Sequence, residues 1–410
     1  MKRNFLSKKG VGIVAAVIVM LVVAVMGLAI SSMLQTNLSN SVNYLQSQQA
    51  MYLAESGLQA AMYQISKGGG AWTGWSGANP VTLQATLTGY GDYNVSVANP
   101  ASSNPVITST GFVPNRTATN KALRVVQATA KNASLFGQYA LFAAGSISMS
   151  SAVIDSYNSN TGRYNVNGNV ANNGNVGTNG NLLMSGSSYI HGNVNTGPSG
   201  TFNNQSAVSG TITHTSNVTL PAVVVPSNLV TCSSGCTNGG TINLSSGSQT
   251  ITSGNYQYAG FNLSGSSVVT IVGPANIYMT GAINLSSTAQ IAVSASSTGP
   301  VIIYSSSSVN ASGSGITNST YIPSYFQLYG SSSSAQSLNL SGSSAFYGTV
   351  YAPNGSLNIS GSGGVYGSFI GNTAALSTSN GVHYDQYLAN MTTPAFMNAG
   401  WKLSGWTEND

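Results

Sequence analysis

The hydrophobic pattern changes character three times along the chain. From Val11 to Ile30, twenty consecutive residues carry no charge and are dominated by Val, Ala, Ile, Met and Leu. At ~1.5 Å per residue, a helical run of that length crosses the ~30 Å hydrocarbon core of a bilayer. Beyond it, apolar residues recur at mostly three- and four-residue steps: Leu34, Leu38, Val42, Leu45 and Tyr52, then Leu58, Met62 and Ile65. That spacing is one helix face. Ser31 to Ile65 has no proline and a single glycine, Gly57, so one continuous helix is predicted over 11–66. Lys67-Gly68-Gly69-Gly70 ends it with a cation and a glycine stop.

The second pattern covers 71–133. Val81 to Leu87, Tyr93 to Val97, Val106 to Ser109 and Leu123 to Ala128 alternate apolar and polar residues, with Gly, Asn and Pro between them. Period-two runs separated by turn residues are strands, so a small antiparallel sheet packed on the helix is expected, with Trp72 and Trp75 as packing aromatics. The third pattern runs over 134–392. Asn-Gly-Asn triplets begin at Asn167, Asn173 and Asn179. A second theme starts at Asn262, Asn284, Asn339 and Asn358, about 20 residues apart or at multiples of that. Such a period predicts a solenoid, here a parallel β-helix with inward aliphatic residues, Gly and Asn at the corners, and Asn and Ser bonded from rung to rung. A β-sandwich is the competing architecture. The fold class is thus α+β: a long transmembrane and stalk helix, a small antiparallel β unit, then a large all-β domain, with 393–410 as a C-terminal tail.

Charge sharpens the reading. Only 4% of the 410 residues are charged, against roughly 25% in ordinary soluble domains. Lys2, Arg3, Lys8 and Lys9 all precede Gly10, and bases on that side hold the helix end in the cytoplasm. Without residues 1–10 the net charge falls to about +1, too small a footprint for nucleic acid. Cys232 and Cys236 flank Ser-Ser-Gly. Two cysteines cannot complete a four-ligand zinc site, and a small disulfide loop in an oxidising compartment is expected.

Lys8-Lys9-Gly10 followed by Val11-Gly12-Ile13-Val14 resembles a type IV prepilin leader and cleavage site. Gln49-Ala50-Met51-Tyr52-Leu53-Ala54-Glu55-Ser56-Gly57-Leu58 is similar to a segment of minor pilins of the PilX type. The resemblance implies cleavage by prepilin peptidase between Gly10 and Val11, N-methylation of Val11, and docking with other pilins through the helix from Val11 to Ile30. It also implies a membrane-anchored precursor that reaches the cell surface. Major pilins of this family usually carry Glu where this chain has Ala15, which points to an accessory subunit. A general signal-peptidase cut after Gly27-Leu28-Ala29 is the competing processing route. A second resemblance covers roughly 250–390: Phe346-Tyr347-Gly348, Tyr351-Ala352-Pro353, Tyr366-Gly367 and His383-Tyr384-Asp385 are similar to the ending of β-helical domains attached to PilX-like N-termini.

Chemistry is sparse. Glycoside cleavage needs two carboxyl groups across a cleft, and after Ser134 the acids are Asp155, Asp385, Glu408 and Asp410. His383 and Asp385 read as a cap that satisfies backbone groups at the end of the solenoid. Asp155 to Gly162 reads as an Asx-rich turn more than a calcium loop. No metal, cofactor or enzymatic activity is expected. A minor pilin or pilus-assembly component, with a β-helical domain that engages a surface or carbohydrate ligand, is the leading expectation. A surface-anchored carbohydrate-active enzyme and a pseudopilin of a secretion or DNA-uptake machine are the alternatives.

Overall fold

With no proline to interrupt it, the segment Lys8–Lys67 forms one 60-residue helix, α1. It begins inside the segment read as a leader, because nothing between Lys8 and Val11 breaks the helix. The computed structural model describes residues 8–67, 81–99, 105–391 and 393–409, so most of the leader, and Trp72 and Trp75, lie outside the described residues. It comprises two units: residues 1–131 together with 401–410, and residues 132–400.

In the first unit, α1 changes its surroundings half-way along. Apolar side chains from Ile13 to Leu45 stand exposed, Ile13 at 67% and Leu45 at 61%. The helix is long and apolar enough over Gly12–Ile65 to cross a membrane. From Ala50 onward one face is buried: Ala50, Leu53, Ala54, Leu58, Ala61 and Ile65 pack on the sheet. The sheet runs β1 (Val81–Leu87), β2 (Gly91–Ala98), β3 (Val106–Val113) and β4 (Ala122–Ser134), antiparallel throughout. Burial alternates strictly along β3, as one face on a helix requires. Helix and sheet approach closely: a Cβ on Gly111 would fall on the Ala50 carbonyl, and one on Gly57 would meet Ser109, Tyr93 and Val95. The small residues of the Ala50–Leu58 segment are therefore the contact surface.

Beside β4 lies a fifth strand, Asn398–Asn409. The segment 393–410, read above as a tail, thus contributes a strand to the first unit's sheet. The long β4 would otherwise present an open edge, and edges attract strands. The Arg124 guanidinium lies 3.8 Å from the Glu408 carboxylate along this pairing.

The second unit is a parallel solenoid in which each turn supplies strands to up to three faces. On one face the inward column reads Ile277, Ile303, Leu328, Val350 and Phe369 in successive register. On another it reads Leu263, Leu285, Ala311, Leu340, Ile359 and Leu376. The third carries Ile251, Ile271 and Val293. All these side chains are buried.

Chain order and stacking order differ. The turn Val365–Leu376 with Val382–Asp385 does not end the stack. Its far side pairs with the unit's first strands: Phe369 with Leu141, Leu376 with Met149, and Val382 with Ile154. The turns at Val176–Ile190 and Val194–Thr213 then continue outward. The chain returns along the stack as a strap, residues 214–236. Val218 is fixed to Asn179, the Pro221 carbonyl accepts the Tyr351 hydroxyl, and the Leu229 carbonyl accepts the Gln257 amide. Cys232 and Cys236 are disulfide-bonded at its end.

One face is buried on both sides. Tyr304, Tyr329 and Tyr351 point outward in register, yet are 5%, 0% and 0% exposed. Phe136 and Phe396 pack their rings on Tyr329 and Tyr351, and Tyr304 stacks on Tyr329. This is why Phe326–Gly330 is buried at every position, where a half-exposed strand would alternate.

Candidate functional site

The predicted Asn stacking is a continuous column, longer than the four repeats reveal. Asn262 donates to Asn243, Asn284 to Asn262, Asn310 to Asn284 and Asn339 to Asn310, at 2.7–3.0 Å. Asn243 and Asn310 escaped the sequence reading; the second sits in Val-Asn-Ala-Ser, outside the Asn-Leu-Ser pattern. The Asn-Gly-Asn triplets act differently. Asn175 accepts from the Asn193 backbone N–H, and Asn193 accepts from Thr211, at steps of 18 residues. The six-residue spacing is therefore not the rung period.

Titratable groups converge at the seam where the last turn meets the first. Pairing places His383 beside Asp155 and Asp385 beside Tyr157. His383 Nδ1 lies 2.6 Å from Asp155 Oδ1, and Nε2 lies 2.7 Å from the Asn380 carbonyl oxygen. Tyr164 stacks on the imidazole with centroids 3.7 Å apart and donates its hydroxyl to Asp155 Oδ2 at 2.6 Å. Burial, and then the hydrogen bond to Asp155, push the Tyr164 phenol well above its ordinary range, so it remains a donor. Asp385, 0% exposed, accepts from the Ser159 N–H and hydroxyl and from the Tyr387 N–H. The sequence reading placed His383 and Asp385 at the solenoid's end. They lie inside the stack, because strands from the other end of the domain pair beyond them.

The chemistry of this cluster follows from its bonding. The Asn380 carbonyl only accepts, so Nε2 carries a proton. Nδ1 faces a carboxylate. Neither nitrogen presents a free lone pair to a substrate, and the ring is covered by Tyr164. General-base work needs a nitrogen within reach of a substrate proton; here both are spent on fastening 155–164 to 380–387. The loop after Asp155 is closed by Asx bonds, Asn160 N–H to Asn158 and Asn169 to three carbonyls. Among the described residues, no three His, Cys, Asp or Glu side chains gather as a metal centre would need.

A second concavity lies elsewhere in this unit. Pro300, Ser324, Tyr325, Gln327, Tyr387, Asn390 and Met391 line a cavity of about 250 Å³, open on one side. None of its lining residues is charged.

A family model described as Domain of unknown function (DUF7305) matches residues 203–391, just under half of the chain. The match takes in the strap and the turns up to the seam, and leaves out 141–202, which stack beyond it. No curated protein matches the chain. Among solved structures, the competence-associated pilin ComZ from Thermus thermophilus is 12% identical, with 89% of this chain and 97% of that chain covered and a TM-score of 0.29.

Two measurements check the bonding at the seam. Replacing His383 or Asp155 with Ala leaves a buried partner uncompensated, which costs about 3 kcal/mol; the double variant should cost little more than either single one, as measured by denaturant unfolding. Burial raises the Asp385 carboxyl above its ordinary range, against the pull of Ser159 and Tyr387. The folded chain then binds that proton more tightly than the unfolded chain, so the Asp385 contribution grows as pH falls and is lost as pH rises through the folded pKa. Wild type should therefore gain stability relative to Asp385→Asn as pH is lowered from 7 to 4.5, read from paired unfolding curves.

Proposed function

We propose that the chain is an accessory subunit of a type IV pilus-like assembly, held by α1 and displaying the solenoid outside the cell. The observation that carries this reading is α1 itself. Its first half exposes apolar side chains all round, from Ile13 to Leu45, and its second half buries one face on a small antiparallel sheet. An exposed apolar helix of this length must be covered by lipid or by other helices. The leader-like Lys8-Lys9-Gly10 and the four bases before Val11 support insertion with that end in the cytoplasm. Partners on this reading are other pilins, the membrane, and prepilin peptidase during maturation.

Ala15 favours an accessory place over that of a bulk subunit. A carboxylate at that depth is costly unless paired, and a chain without one lacks that pairing. A display role is favoured over catalysis by the state of the acids. Asp155 and Asp385 are both buried and bonded inside the protein, which leaves neither for an exposed cleft.

The decisive experiment is mass spectrometry of the N-terminal peptide from protein made in a host with a type IV pilus machine. The reading expects a mature chain that starts at N-methylated Val11. A start at Ile30, or an uncut Met1, would overturn it.

A further inference from the structure

Residues 132–400 contain three residues of the Asp, Glu, Lys and Arg types: Asp155, Arg163 and Asp385. Two of them are buried and internally bonded. The third, Arg163, lies 3.4 Å over the Tyr321 ring. The largest unit of the protein therefore meets its surroundings with an almost uncharged surface of Ser, Asn, Thr, Gly and Tyr. Such a surface exerts little long-range attraction on charged partners. Whatever it holds must be recognised by shape, stacking and neutral hydrogen bonds.

The open cavity of about 250 Å³ meets those conditions. Tyr325 and Tyr387 supply aromatic faces, and Pro300 and Met391 supply apolar walls. Ser324 and Asn390 bring a hydroxyl and an amide to the lining, and Gln327 lies beneath them. Gln327 is held in place: it is 4% exposed, donates to the Ser324 carbonyl at 2.9 Å and accepts from the Tyr329 hydroxyl at 2.9 Å. A mostly apolar hollow with a few oriented polar groups is the usual form of a small-ligand site. Tyrosine adds contact area at low entropic cost. The volume suits one or two sugar rings and is too small for a folded partner. Every lining residue falls within the matched segment 203–391.

We propose that this cavity binds a sugar unit of an uncharged polysaccharide. The proposal names a ligand class for the displayed domain and rests on the display reading, but not on the processing of the N-terminus. An uncharged ligand is favoured because an acidic sugar would find no cation in the site and a basic one no anion. The apolar face of a pyranose ring packs on a tyrosine, and its hydroxyls bond to neutral polar groups of the lining.

The test uses the full chain in detergent micelles, offered immobilised dextran, mannan and cellulose, with heparin and a proline-rich peptide as comparators. Wild type should retain at least one neutral polysaccharide, with retention unchanged between 50 and 500 mM NaCl. Tyr325→Ala and Tyr387→Ala should each weaken binding at least tenfold with an unaltered melting curve. Tyr90→Ala, in the other unit and 69% exposed, should leave binding intact. Retention on none of the neutral polymers, retention indifferent to both cavity tyrosines, or preference for heparin or the peptide would each overturn the proposal. A chain that starts at methylated Val11 yet binds no neutral polymer would sink this inference alone.

Discussion

Parallel pairing of Val382–Asp385 with Ile154–Tyr157 is the constraint on which the larger unit depends. A β-strand edge left unpaired in a stack is an open row of N–H and C=O groups. Joining the last turn to the first satisfies two such edges at once and merges two short stacks into one core. The apolar column Val350, Phe369, Leu141 and Val176 runs through the junction without interruption. The polar groups beside it, His383, Asp155, Tyr164, Asp385 and Ser159, fasten the loop 158–172 over that junction. Since 141–157 must wait for 365–385, contacts of very long sequence separation are needed to complete the domain, and such folds form slowly.

Much of this was legible beforehand, and the reasons differ by element. The apolar run from Val11 stands out because twenty consecutive uncharged, mostly aliphatic residues contrast with the Ser-, Asn- and Gly-rich remainder. The Asn-Leu-Ser repeats disclosed the rungs, since stacking demands like residues at like positions. The join between last and first turns left no local trace, because parallel pairing between distant segments has no period to detect. The doubly covered face was hidden for a related reason. Nothing local marks Tyr304, Tyr329 and Tyr351 as covered, because Phe136 and Phe396, which pack on Tyr329 and Tyr351, are distant in sequence on either side. His383 and Asp385 were found because charge is so rare here, but their position followed from topology.

The two units divide the work along physical lines. The first keeps its bases and acids on a small sheet, around Asp92, Arg116, Arg124 and Glu408, and a helix whose exposed half requires an apolar environment. Its close packing at Gly57 and Gly111 ties the lower half of that helix rigidly to the sheet. The second has almost no surface charge. In a stacked solenoid, like charges would recur every ~4.8 Å, so neutral amides and hydroxyls are the residues that can repeat without cost. The same neutrality that permits stacking limits what the surface can recognise.

Disulfide trapping tests the closure of the solenoid most directly. Ser148 and Ala375 are exposed register partners across the seam, and neighbouring strands bring Cα atoms within disulfide range. In a Ser148→Cys, Ala375→Cys double variant oxidised under mild conditions, peptide mapping should find the two new cysteines joined to each other, with Cys232 still joined to Cys236. New cysteines that remain free thiols, or that pair with the native ones while the protein stays folded, would contradict the closure.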